Sequence, residues 1–189
     1  EQKKRKYFYD EISEHQKAEF INGEIIVQSP VKFIHDIISN NLNILLNTYV
    51  RKHNLGHVGH EKLLITLSRN DFEPDICFFQ KKKSEKFQSN QTRFPAPDFI
   101  AEILSSGTEK IDRGVKFTDY AEHGVMEYWI IDPEKKTIEQ YLLKKNTYEL
   151  CLKINSGTIK SKIIKGFKIP VISVFDEKEN ISVLETLFK

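Results

Sequence analysis

The chain has 189 residues, of which 39% are hydrophobic and 30% charged, and its formal net charge is +2 at pH 7. This length and composition fit one globular domain with a real hydrophobic core, so we expect residues 1–189 to form a single domain. No apolar run approaches the roughly 20 residues of a membrane span, and no signal-peptide core follows the charged residues 1–6, which excludes a membrane-spanning protein and predicts a cytoplasmic one.

The first third of the chain predicts a short helix, a hairpin and a long helix. Residues 8–20 mix apolar and acidic side chains and predict the short helix. The pair Asn22-Gly23 lies between two apolar segments and is typical of a two-residue hairpin turn. Within 33–52, apolar residues recur every three or four positions, as on one face of an amphipathic helix; they are Ile34, Ile38, Leu42, Leu45 and Tyr49.

Strand patterns follow between residues 63 and 104. Residues 63–67 and 76–79 each predict a strand, and a turn separates them. The lysine-rich segment 80–96 predicts a loop. Residues 99–104 form a nearly continuous apolar run, which is typical of a strand covered on both faces.

A second helix and more strands complete the chain. Ser106 and Glu109 match a capping box, which predicts a helix that runs to about Glu122, before Gly124. Later strands are predicted at 128–131 and in a hairpin at 137–143 and 148–152, and the tail 163–175 contains a turn at Gly166 and ends in a short apolar segment. The order of elements predicts an α/β fold, a mixed β-sheet flanked by helices. The Gly-rich phosphate motifs of nucleotide-binding proteins are absent.

Two carboxylates interrupt strand patterns that otherwise look buried. Asp75 precedes Ile-Cys-Phe-Phe, and Glu102 lies within Phe-Ile-Ala-Glu-Ile-Leu. A buried carboxylate is costly unless it is paired or binds a metal. Asp98 shares a strand with Glu102, but four residues place their backbones about 13 Å apart, too far to chelate one ion. If the strand after Asp75 pairs with 99–104, Asp75 and Glu102 approach to about 5 Å.

A lysine on the following helix could reach this pair. Leu104 lies on the same strand face as Glu102, but it cannot stabilise charge. On the predicted helix one polar stripe follows the three- and four-residue spacing; it contains Glu109, Asp112, Lys116 and Tyr120. Lys116 could therefore orient an attacking water or stabilise a developing phosphorane charge.

Ordinary structural explanations remain open for each of these residues. Asp75 follows a proline and could simply begin a strand, and Glu102 could belong to a structural ion pair. Lys116 could pair with Asp112 on the helix surface. His35 is more typical of a helix cap or a surface position. Cys77 and Cys151 lie in apolar strand patterns, so we expect buried, reduced thiols rather than a disulfide.

The quoted motifs resemble those of a known family. Glu-Pro-Asp75, Pro-Asp-Phe-Ile-Ala-Glu102-Ile-Leu-Ser, and then Asp112, Lys116 and Tyr120 are followed by Gly-Val-Met-Glu-Tyr-Trp-Ile-Ile-Asp-Pro. This order, with Glu-Phe-Ile-Asn-Gly-Glu-Ile-Ile-Val-Gln-Ser-Pro and His35 upstream, resembles the Uma-type restriction endonuclease family of bacteria, part of the PD-(D/E)xK nuclease superfamily. The resemblance spans residues 8–175.

The resemblance implies a restriction-endonuclease-like fold with extra antiparallel strands and a DNA endonuclease that uses Mg²⁺ or Mn²⁺. Asp75 and Glu102, with a backbone carbonyl near Ile103, would bind the divalent ion. The superfamily lysine would stand where Leu104 is, and in this family it maps to Lys116. Glu19 would be an additional acidic residue, brought from a first helical region. Basic segments such as 81–86 would contact DNA, and a homodimer would supply two sites for two strands.

Two other readings compete with the nuclease. Leu104 at the usual lysine position and the modest net charge also fit a nucleic-acid-binding module that is inactive or depends on a partner. A two-carboxylate glycosidase is disfavoured because the single Trp129 lies inside a strand pattern.

Overall fold

A computed structural model describes residues 1–13 and 15–188. The strands are β1 (Ala18–Ile21), β2 (Glu24–Val27), β3 (Gly56–His60), β4 (Leu64–Thr66), β5 (Asp71–Phe72), β6 (Ile76–Gln80), β7 (Arg93–Phe94), β8 (Phe99–Ile103), β9 (Glu127–Asp132), β10 (Thr137–Lys144), β11 (Thr147–Ile154), β12 (Thr158–Lys160) and β13 (Lys168–Pro170). The α-helices are α1 (Gln2–Tyr7), α2 (Phe33–Lys52), α3 (Lys81–Ser84), α4 (Glu109–Asp112), α5 (Val115–Glu122), α6 (Ile172–Phe175) and α7 (Glu177–Phe188), and a π-helical segment, Phe8–Ile12, continues α1.

The central sheet has six strands in the order β11-β10-β9-β8-β6-β3. Strands β8 and β9 are parallel, and the other neighbours are antiparallel. The predicted mixed sheet is therefore confirmed. A second sheet, in the order β2-β1-β5-β4-β7, and the β12-β13 pair complete the strands of the described residues.

Strand β8 is covered on both faces, as its apolar run predicts. Phe99, Ala101 and Ile103 join the core cluster that contains the buried face of α2. Ile100 and Leu104 join the opposite cluster, which contains Tyr120 of α5. Because side chains alternate along a strand, Glu102 faces the α5 side of the sheet.

The best-predicted elements are those with strong local patterns. Helix α2 spans Phe33–Lys52, as predicted, and the Asn22-Gly23 hairpin joins β1 to β2. Both turn residues have positive φ, 51° and 82°, which the two-residue turn requires.

Several predictions about elements are wrong. The helix expected over 8–20 ends at Ile12, and strand β1 begins at Ala18. The expected loop 80–96 contains α3 and β7, and α7 was not predicted. Cys77 is buried as expected, but Cys151 is exposed because it lies on the edge strand β11. Within the described residues no helix is long and apolar enough to cross a membrane.

Candidate active site

Strand pairing brings Asp75 and Glu102 together. The antiparallel register of β6 and β8 places Ile76 opposite Ala101, so Asp75, one residue earlier, lies beside Glu102. The Asp75 N–H donates to Glu102 Oε2 at 3.2 Å, and the Ile103 N–H donates to Asp75 Oδ2 at 2.8 Å. Both side chains are buried, and backbone bonds hold them in place.

Lys116 reaches the carboxylates from α5. Its Nζ lies 2.9 Å from Glu19 Oε1, 3.0 Å from Glu102 Oε1 and 3.3 Å from Asp112 Oδ1, and its side chain is only 2% exposed. The Tyr120 hydroxyl also donates to Glu102 Oε1, at 3.0 Å. The polar stripe predicted from spacing therefore faces the sheet, not the solvent, at these positions.

A break in the helix sets the position of Lys116. The predicted continuous helix is two short helices, α4 and α5, separated at Gly114. A Cβ at Gly114 would lie 2.6 Å from the Lys110 carbonyl oxygen, so glycine permits the close turn. The predicted Ser106 cap is wrong. The Ser105 hydroxyl accepts the Thr108 N–H instead, and the helix begins later, at Glu109.

Glu19 enters the site from a strand and not from a helix. It lies on β1, and its Oε1 accepts the Glu73 N–H at 2.9 Å. Glu73 is itself buried, and its Oε2 accepts the Ala18 N–H at 3.2 Å. These two bonds tie β1 to the segment that leads into Asp75.

The far side of Asp75 contacts two basic side chains. His35 Nε2 lies 3.2 Å from Asp75 Oδ2, and Lys17 Nζ lies 3.4 Å from Asp75 Oδ1. Lys17 also pairs with Glu61 at 2.8 Å. His35 is buried in the first turn of α2, so the expectation of a surface or capping histidine is wrong.

The carboxylates of the cluster have divergent pKa values. Burial acts to raise the pKa of Asp75, but the hydrogen bond and charge of His35, the charge of Lys17 and the Ile103 N–H lower it overall. Burial raises the pKa of Glu102, against the charge of Lys116. Burial also raises the pKa of Glu73, to about 7. Burial opposes the charge on Lys116, yet its three carboxylate partners raise its pKa, so it stays protonated.

The cluster lines a cavity of about 320 Å³. Its walls include Glu19, Glu73, Asp75, Glu102 and Asp112, with Lys116 among them. Carboxylates thus outnumber the cations here, and buried negative charge of this kind is stabilised by a bound cation.

The donors suit a hard divalent ion, although they converge on Lys116. Asp112 Oδ1 is buried without a hydrogen-bond partner, and carboxylate oxygens are the ligands that Mg²⁺ prefers. Ile103 also lines the cavity. Within the described residues, no group of three or more His, Cys, Asp or Glu side chains is already arranged as a metal site. The ammonium of Lys116 lies where these carboxylates meet.

Other residues considered from the sequence lie elsewhere. Asp98 pairs with Lys83 at 3.0 Å and accepts the Gln80 N–H, so it belongs to the opposite end of β6. The basic segment 81–86 begins at that same end, six residues beyond Asp75, or about 20 Å along the strand.

Sequence reasoning missed part of the cluster. Lys17 was missed because the wrong helix prediction for 8–20 hid its position two residues before Glu19, on the same face of an extended segment. Glu73 lies two residues before Asp75, in the same segment that leads into β6. Asp112 is on the predicted polar stripe, but it was expected only as a surface partner of Lys116 and not as a member of the buried cluster.

Comparisons with known proteins identify the family of this chain. The Uma2 family model, described as "Putative restriction endonuclease", matches residues 7–171. The chain belongs to the Uma2 family. The uncharacterized protein sll1609 of Synechocystis sp. is 31% identical over 139 residues, which cover 71% of this chain and 77% of the relative.

A solved structure has the same fold. The crystal structure of "a putative nuclease belonging to DUF820" from Anabaena variabilis superposes with a TM-score of 0.72, covering 84% of this chain and 89% of that one. At 21% identity this likeness shows the fold alone. The Uma2 match confirms the family resemblance, and the fold class of a restriction-endonuclease-like domain is confirmed with it.

Proposed function

We propose that this Uma2 protein is a metal-dependent DNA endonuclease that hydrolyses phosphodiester bonds. The observation that carries the proposal is the buried acidic cluster with Lys116 at its centre, on the wall of a cavity large enough for a phosphate group. Membership in a family of restriction endonucleases supports nucleic acid as the substrate.

Asp75 and Glu102, with the Ile103 carbonyl, would hold Mg²⁺ or Mn²⁺. A divalent ion bound there supplies Lewis-acid polarisation of the phosphate and a more acidic water. The protein's part is orientation. The Ile103 N–H holds Asp75, and Tyr120 and Lys116 hold Glu102. Lys116 also keeps a positive charge beside the place where the attacking water would lie, and Glu19 adds a carboxylate on its other side.

Cleavage of DNA tests this proposal directly. Purified protein is incubated with supercoiled plasmid and with single-stranded circles, in Mg²⁺, Mn²⁺ or EDTA. We expect cutting that requires the ion, and a loss of at least a hundredfold in Asp75→Asn, Glu102→Gln and Lys116→Met, because each removes a ligand or the ammonium. Lys178→Met, on the exposed face of α7, is the matched control.

The second candidate is a nucleic-acid-binding module that is inactive or depends on a partner. The convergence of the carboxylates on Lys116, with no ready metal-binding group among the described residues, favours it. Calorimetry separates the two. Absence of Mg²⁺ and Mn²⁺ binding by the wild type, with no cutting of either DNA form, would exclude the endonuclease.

A further inference from the structure

Lys116 is enclosed by its carboxylate partners. A lysine ammonium has three donors, and three carboxylates lie within 3.3 Å of this one. Its side chain is almost fully buried. The three carboxylates around this ammonium repel an incoming anion, so Lys116 is poorly placed to bind a phosphate oxygen of the substrate, and that contact calls for another cation.

Lys17, unlike Lys116, is a partly exposed cation with fewer carboxylate partners. It precedes β1 and shares a strand face with Glu19, because residues two apart point the same way. Its Nζ has two carboxylate partners, Glu61 at 2.8 Å and Asp75 at 3.4 Å. Its side chain is 21% exposed, ten times as much as that of Lys116. One donor remains for a group that arrives from solvent.

The two carboxylate partners of Lys17 differ in how firmly they hold its ammonium. Asp75 Oδ2 is occupied by the Ile103 N–H and lies near His35, whereas Oδ1 faces Lys17. Glu61 is 38% exposed, so its pair with Lys17 is partly screened by water and contributes little to stability. A phosphate could compete with Glu61 for the ammonium at small cost.

We propose that Lys17 binds a phosphate group of the nucleic-acid strand beside Asp75, a role distinct from that of Lys116. The inference rests on the proposed function, since it assigns the substrate's phosphodiester backbone to this side of the same site. Lys17 then anchors the strand, while Lys116 orders the carboxylates beneath it.

Binding without catalysis tests the assignment. A labelled single-stranded oligonucleotide is titrated with protein in EDTA over a series of salt concentrations, and affinity is read by fluorescence anisotropy. We expect Lys17→Met to weaken binding roughly tenfold and to reduce the slope of log affinity against log salt by about 0.7, the effect of one phosphate contact with a single strand. Lys17→Arg should recover most of both, and the control Lys178→Met should match the wild type.

A purely structural role for the lysine predicts a different pattern. If Lys17 serves only to pair with Glu61, Glu61→Gln will weaken binding as much as Lys17→Met does. If Lys17 binds phosphate, Glu61→Gln will bind as tightly as the wild type or more tightly, because a competing carboxylate is gone. Thermal melts of each variant confirm that it is folded.

The outcomes separate the two proposals. Wild-type binding with an unchanged slope in Lys17→Met would overturn the role of Lys17 and leave the endonuclease standing. Neither binding nor cutting of DNA by the wild type would overturn both.

Discussion

At the residue scale, Lys116 contacts Glu102 from an element other than the strand that carries Glu102. Leu104 lies two residues after Glu102 and packs in the apolar cluster under α5. Lys116 descends from α5 onto the same face of the sheet and reaches Glu102 Oε1. Glu102 thus receives the positive charge of Lys116 from α5, while Leu104 on the strand side keeps its apolar packing.

Removal of the Lys116 ammonium should be costly. In Lys116→Met the buried carboxylates Glu19, Glu102 and Asp112 lose their shared cation, and breaking a buried ion pair typically costs about 3–5 kcal/mol. We expect the free energy of unfolding, measured in urea at pH 8, to fall by that order. Adding Glu102→Gln to Lys116→Met should restore part of it. Equal stability of Lys116→Met and wild type would show that the ammonium is not needed for folding.

Glu73 should make stability depend on pH. Its pKa is raised by burial from 4.5 to about 7 in the folded protein. The neutral Glu73 carboxyl therefore contributes its full stabilisation of the fold below pH 4.5, and this stabilisation is lost as the pH rises through 7. The difference corresponds to about 3 kcal/mol. Urea unfolding of Glu73→Gln should show a shallower decline between pH 4.5 and 7, because glutamine keeps the acceptor for Ala18 but cannot ionise. The raised pKa values of Glu102 and Asp112 act in the same direction, so some decline will remain. A decline as steep as that of the wild type would contradict the assignment.

At the scale of elements, the break between α4 and α5 sets the positions of Asp112 and Lys116. Asp112 ends α4 and Lys116 lies in the first turn of α5. The turn at Gly114 lets both side chains face Glu102. An unbroken helix would keep the i, i+4 spacing of this pair, but it would not have the bend observed here.

Gly114→Ala should disturb that arrangement. The added Cβ would meet the Lys110 carbonyl oxygen at 2.6 Å, and backbone has to shift to relieve the contact. We expect a loss of about 1–3 kcal/mol in unfolding free energy and a larger fractional loss of DNA cleavage, since the shift moves Lys116. Gly107→Ala, whose Cβ would meet only the Ser105 hydroxyl at 3.9 Å, is the control. Full stability and activity in Gly114→Ala would rule out this role for the glycine.

At the scale of the whole molecule, a charged contact made by Arg5 joins the N-terminal helix to a buried residue of the second sheet. The Arg5 guanidinium donates to both oxygens of Asp71, at 2.7 and 2.9 Å, and to the Leu67 carbonyl at 2.7 Å. Asp71 is completely buried, and the Tyr9 hydroxyl also donates to it. Because β5 pairs with β1, this contact supports the strand that carries Glu19.

Arg5→Met should therefore destabilise more than its partly exposed position suggests. It leaves Asp71 buried without a cation, which we expect to cost about 3 kcal/mol. Tyr9→Phe removes one hydrogen bond and should cost about 1 kcal/mol. Urea unfolding measures both, and addition of Asp71→Asn to Arg5→Met should recover part of the loss. A smaller effect for Arg5→Met than for Tyr9→Phe would contradict the argument.

The homodimer stays a prediction. Cutting both strands of a duplex takes two sites, so we expect two copies of the 22.1 kDa chain to associate, at least on DNA. Sedimentation with and without duplex DNA would detect the dimer. A monomer under both conditions would favour nicking of one strand at a time.

Local patterns in the chain were sufficient to predict helix α2 and the Asn22-Gly23 hairpin, whereas the approach of Asp75 to Glu102 was expected only on the condition that their strands are neighbours. Helical spacing, turn chemistry and strand runs depend on neighbours in sequence, so these elements need no further information. The stripe of Asp112, Lys116 and Tyr120 was visible for the same reason.

Only the tertiary structure brought Lys17, His35 and Glu73 to these carboxylates. Lys17 precedes β1, His35 lies in α2 and Glu73 lies between β5 and β6. Their proximity depends on sheet order and on how α2 lies across β8. Burial decides the pKa values of Glu73 and Glu102, and burial is a property of the folded surroundings. For the same reason the structure, not the spacing of residues, separates the enclosed Lys116 from the partly exposed Lys17.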